Sequence, residues 1–132
     1  MKNLRPLATI GILLLAVLVI ATSCKKKSDD TTPTNPSFTM SSTPDPNDVD
    51  AVYFMFKCTN MDIKLTKVVI SDPLTLFSDT YDCQGASYLQ NIAYMINYSY
   101  TKETGNWNFQ FTGNRSSDGS GFVVTAPLYI SK

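Results

Sequence analysis

Asp45, Asn47, Asp48 and Asp50 form the densest group of oxygen donors in the chain, and clustered hard oxygens are what a calcium ion takes. Asp118, from a separate loop, is a further candidate ligand. The spacing matches no EF-hand loop, and Asp and Asn serve turns equally well by hydrogen-bonding their own backbone. The turn is the favoured reading and calcium the sharper alternative. Histidine is absent from all 132 residues, which removes Ser-His-Asp and Cys-His nucleophile systems and imidazole metal sites. Glu103 is the lone glutamate and falls in an expected turn. A carboxylate pair for glycoside hydrolysis would therefore need aspartates, and these cluster in expected turns too. The inventory points to a non-catalytic chain that needs no cofactor.

Aromatic side chains are the other source of chemistry. Tyr81, Tyr88, Tyr94, Tyr98, Tyr100 and Trp107 crowd a short span. Exposed aromatics on a β-sandwich stack on sugar rings or anchor a protein partner. Trp107 shares an apolar strand face and is expected in the core. Tyr98 and Tyr100, near a strand end, are the candidates for a contact surface.

The elements that would position these residues begin with a leader. Lys2 and Arg5 give a basic start, Leu7 to Ala21 is apolar without a charge, and Ala21, Thr22 and Ser23 are small. Basic, apolar, small is the order of an export signal. The apolar run is about fifteen residues, short of the roughly twenty that span a bilayer as a helix. A retained membrane anchor, with Lys25 to Lys27 as its stop, is the alternative. Residues 25–37 carry Pro33, Pro36 and a Ser/Thr/Asp/Asn composition that builds no core, as a tether does; stretched, they reach about 40 Å. The divisions expected are residues 1–23 as signal peptide, 24–37 as tether and 38–132 as one folded domain.

Past the tether, period-two alternation dominates. Phe38 to Ser41 is expected to be a short strand, followed by a turn-rich break at 43–48. Val52, Phe54, Phe56 and Cys58 alternate against Tyr53, Met55 and Lys57, which defines a strand with one apolar face. After a turn at 59–62, Ile63, Leu65 and Val69 have one parity and Val68 and Ile70 the other. The phase slips near Lys67, implying a bulge or burial on both faces. Leu74 to Phe77 reads as a brief edge strand and 78–87 as loop. Tyr88 to Tyr100 alternates as a strand, although Leu89, Ile92, Ala93 and Ile96 also fit helical spacing; aromatic and β-branched content favours the strand, with a helical turn near 87–91. Trp107, Phe109 and Phe111 alternate strictly, 113–121 reads as a loop, and Phe122 to Ile130 closes the chain, with Pro127 marking an edge. Six to seven short strands define an all-β, antiparallel β-sandwich.

Two stretches carry resemblances. Val19-Ile20-Ala21-Thr22-Ser23-Cys24 resembles the bacterial lipobox, with Ala21 where that family prefers leucine. Lys25-Lys26-Lys27-Ser28-Asp29-Asp30 is similar to the start of Bacteroidota lipoproteins, where such a tract directs export to the outer face of the outer membrane. The resemblance implies that Cys24 is acylated and becomes the first mature residue, anchoring the protein to the outer membrane and displaying it at the surface. Acyl chains at Cys24 would hold at about 0.8 kcal/mol per buried methylene. From Trp107 onward the pattern resembles the last hairpin of immunoglobulin-like and fibronectin-III-like domains of such lipoproteins.

Removing the 23 leader residues from 132 leaves 109, enough for one small domain and a tether. It also removes Lys2 and Arg5 from eleven basic residues, leaving nine against eleven acidic and a net charge near −2. No basic face emerges for nucleic acid. With Cys24 acylated, Cys58 and Cys83 remain as an even pair in an oxidising compartment, which invites a disulfide worth about 3 kcal/mol. In an immunoglobulin-like order, the end of the second strand and a loop before the fifth lie at one pole, which permits that bridge. The expected role is a lipid-anchored, non-catalytic surface module, binding a glycan or host protein through exposed tyrosines or serving as a structural spacer of the envelope.

Overall fold

The computed structural model describes residues 34–74 and 77–132. The leader, Cys24 and the tether up to residue 33 lie outside the described residues, as do the middle positions of the edge strand expected over 74–77. At the two described ends of that stretch, Leu74 and Phe77 are not in a strand.

Seven strands follow in order: β1 (Phe38–Asp45), β2 (Asp48–Cys58), β3 (Ile63–Ser71), β4 (Ser78–Tyr88), β5 (Tyr94–Thr101), β6 (Gly105–Arg115) and β7 (Gly121–Ile130). They form two antiparallel sheets, β1-β2-β5 and β4-β3-β6-β7. The alternation of β2 and β6 explains the core. Val52, Phe54, Phe56 and Cys58 point inward from one sheet, and Trp107, Phe109 and Phe111 from the other. Phe54 packs against Trp107 and Phe109 with ring centroids 4.9 Å away in each case. The Phe38 ring stacks on Phe111 at 3.9 Å. Offset and edge contacts of this kind add to the burial energy of the rings. Constant-type immunoglobulin domains place four strands in the first sheet and three in the second; here the fourth strand pairs with the third, giving three and four.

The phase slip in β3 is a bulge between Leu65 and Lys67: those two steps match one on β6, from Gly113 to Thr112, while β4 bulges at the same place and takes four, from Ala86 to Asp82. It keeps Ile63, Leu65, Val68 and Ile70 all inside, as an extra residue must when parity changes but the face does not. Gly113 lies opposite Leu65 in the same ladder. A Cβ there would lie 2.1 Å from the Lys64 carbonyl oxygen, so β6 and β3 approach too closely for any side chain.

Three expectations are corrected. Residues 78–87 are not a loop but most of β4, an edge strand whose one fully inward apolar side chain is Cys83. Residues 88–100 split: Tyr88 ends β4, a turn covers 89–93, and β5 begins at Tyr94. No helix occurs among the described residues. The segment 113–121 is shorter as a loop than expected, because β6 runs to Arg115 and β7 starts at Gly121.

The sandwich has a tether end and a distal end. Thr34 to Ser37 lead into β1 beside the β2–β3 turn. There the Ser37 amide donates to Asn60 Oδ1 (2.9 Å) and Asn60 Nδ2 donates to the Asn35 carbonyl (2.9 Å). Pro36 is buried, and Arg115 donates to the Thr34 carbonyl at 3.1 Å. The last four tether residues thus belong to the fold. The β2–β3, β4–β5 and β6–β7 turns share this end; the β1–β2, β3–β4 and β5–β6 connections share the distal end.

Candidate functional site

β4 and β5 are outer strands of different sheets, and they meet along one flank. Five of the seven tyrosines lie on that seam. Tyr88 meets Tyr94 edge-on at 4.8 Å, and Tyr81 meets Tyr98 edge-on at 5.8 Å. The Tyr100 hydroxyl donates to Asp79 Oδ2 at 2.8 Å. Tyrosine suits this position because the ring packs inward while the hydroxyl stays within reach of polar partners. Burial raises the Tyr100 pKa well above the ordinary tyrosine value, and its bond to the Asp79 carboxylate raises it further. Burial likewise raises Tyr88, with the neighbouring Cys83 adding to the effect.

The two contact candidates part company. Tyr100 is half-buried against Phe54 and Trp107, at 5.5 Å and 6.1 Å, and closes the core. Tyr98 is 60 % exposed. Alternation alone puts Tyr98 on the inward face with Ile96, but β5 carries two extra residues opposite Phe54. Met95 pairs with Met55 and Ser99 with Tyr53, so four steps on β5 match two on β2. This bulge turns Tyr98 outward while Ile96 stays fully buried. Tyr98, with the half-buried Tyr81 beneath its edge, is the exposed aromatic contact surface of the seam.

The acidic loop is a turn. Asp45 Oδ1 accepts from the Asn47 amide and Asp48 Oδ1 from the Asp50 amide, both at 2.9 Å; each carboxylate closes its own backbone loop. Asp118 lies at the opposite end of the sandwich, in the β6–β7 turn, so it cannot complete a shell with Asp45, Asn47, Asp48 and Asp50. It accepts from the Ser120 hydroxyl and from the Ser120 amide, the latter at 3.0 Å, and pairs with Arg115 at 3.3 Å. Those Ser120 hydrogen bonds, then Arg115, hold its carboxyl below the usual range. Among the described residues, no three acidic or thiol side chains converge to hold a metal ion.

Cys58 and Cys83 are both buried free thiols, so the expected bridge is not formed. The reason is positional. Cys58 ends β2 at the tether end, where its Sγ lies 3.6 Å from Asn60 Oδ1. Cys83 sits mid-strand in the other sheet, not in a polar loop, and its Sγ faces the Tyr81 carbonyl at 3.8 Å. Burial raises the Cys83 pKa, keeping it as the unreactive thiol. Asp79 was not legible as a site residue, because nothing in its polar surroundings marked β4 as a strand. The alternation of Tyr81 with Cys83 is the one signal that does.

Searches against protein-family models, curated proteins and solved structures find no match for this chain.

Proposed function

We propose that the chain is a lipid-anchored module of the outer cell surface that makes non-catalytic contacts with a glycan or protein ligand through the seam around Tyr98. The observation that carries the reading is the outward Tyr98 on a bulged edge strand. A ring that the core does not need is held 60 % exposed, edge-on to the half-buried Tyr81. Ordered aromatics of this kind bind flat apolar faces, including sugar rings, with little loss of side-chain entropy. The aspartates support a non-catalytic role, since Asp45, Asp48 and Asp118 are each engaged with their own turns.

The envelope-spacer reading competes with this one and predicts no dependence on Tyr98. Glycan and host-protein arrays probed with the wild-type protein and with Tyr98→Ala separate them. Binding lost in the variant, at unchanged thermal stability, is the expected result. Binding that is absent, or unchanged by the substitution, contradicts the proposal.

A further inference from the structure

The turn between β4 and β5 exposes apolar side chains at the end where the tether joins the fold. Leu89 is 57 % and Ile92 48 % exposed, and Met95 follows at 46 %. This loop is firmly held. The Asn91 amide donates to the Cys58 carbonyl at 2.7 Å, with Asn91 itself at φ 61°. The Gln90 amide donates to Asp62 Oδ1 at 2.7 Å, and Gln90 Nε2 to the Thr59 carbonyl at 2.9 Å. The Leu89 amide donates to the Tyr94 hydroxyl at 3.0 Å. Polar groups of the turn therefore face inward, onto the same Thr59–Asn60 corner that grips Asn35 and Ser37. The apolar side chains face out.

Charge is distributed unevenly along the same axis. The distal end carries Asp45, Asp48, Asp50, Asp72, Asp79 and Glu103 against Lys102 and Lys132. The tether end carries Lys57, Lys64 and Arg115 against Asp62 and Asp118, while Lys67 and Asp82 face each other mid-strand. An anionic surface attracts the tether end and repels the distal one. Only residues 25–33 separate Cys24 from Thr34, a span of at most about 35 Å, so an anchor at Cys24 keeps this end close to lipid.

We propose that Leu89, Ile92 and Met95 form a second, reversible contact with the anionic lipid surface, which seats the domain with its tether end down and its acidic end outward. This rests on the reading of Cys24 as the lipidated residue. Burial of a few apolar side chains in the interfacial zone adds orientation to an attachment that the acyl chains supply. A consequence is that Tyr98, on the flank and not on the seated end, stays accessible.

The test uses the full-length chain, matured in its own cells and reconstituted into vesicles of phosphatidylethanolamine and phosphatidylglycerol with brominated acyl chains. Trp107 is buried and gives the baseline. Ile92→Trp should show blue-shifted emission quenched by the brominated lipid. Val49→Trp, at a distal position 91 % exposed, should show neither change. Acyl chains on Cys24 are verified by mass spectrometry on the same samples. Acylated protein whose Ile92→Trp emission matches that of Val49→Trp overturns the docking while leaving the anchor intact. Protein without acyl chains overturns the anchor and the docking with it.

Discussion

The Tyr100 hydroxyl on β5 donates to Asp79 Oδ2 on β4 at 2.8 Å, joining the outer strands of two different sheets. This flank is where a sandwich is open to unwanted strand addition. The bulges in β4 and β5 and the tyrosine contacts between them close it. On the opposite flank, β1 and β7 each carry a proline, Pro44 and Pro127, and a proline supplies no amide to a pairing strand. Tyr100→Phe should cost about 1–2 kcal/mol, toward the low end of the roughly 1.5–3 kcal/mol of a hydrogen bond to a charged group because solvent screens this half-buried pair. Because the Tyr100 pKa is raised on folding, the folded chain keeps a proton that the unfolded chain loses above about pH 10. Stability is whole below that value and falls as the pH rises beyond it. Urea titrations across this range should show a steeper alkaline loss in the wild type than in Tyr100→Phe.

Gly113→Ala should destabilise by several kcal/mol or prevent folding. The obstacle is backbone, the Lys64 carbonyl oxygen at 2.1 Å from the added Cβ, and not a side chain that could swing aside. Overpacking of a side chain against side chains typically costs about 1–3 kcal/mol, so a backbone clash stands at or above the upper end. Circular dichroism with thermal melting measures it; a variant as stable as the wild type would show that β3 and β6 can part at the bulge.

Cys58 and Cys83 should resist alkylation in the folded protein and both react once it is denatured, without any reductant. Both thiols are buried away from reagent, and burial also raises the Cys83 pKa, which leaves it little thiolate to react. Mass spectrometry reads the count, and a mass two hydrogens lighter with no labelling would mean the two thiols are bridged.

The core was legible because β2, β6 and β7 alternate without interruption, and Phe54, Phe56, Phe109 and Phe111 fall where period two puts them. The Leu65–Lys67 slip was legible for the same reason, since a break in phase inside an apolar run has few physical causes. β4 was hidden by its composition. An edge strand buries little, and half-buried Tyr81 followed by buried Cys83 is too short an alternation to stand out among polar neighbours. Tyr98 and Tyr100 share a parity in the sequence, and only the two-residue excursion of β5, set by pairing with β2, sends one ring out and leaves the other in. Long-range pairing of that kind leaves no local trace. The disulfide failed on the same point, because it required Cys83 in a polar loop.

Attachment through Cys24 is decided by fractionating cells that carry Cys24→Ser. Wild-type protein should incorporate labelled palmitate and remain with the outer membrane after a carbonate wash. The variant should take up no label and appear uncleaved or in the soluble fraction. A Cys24→Ser protein that still sediments with the washed outer membrane would contradict the account.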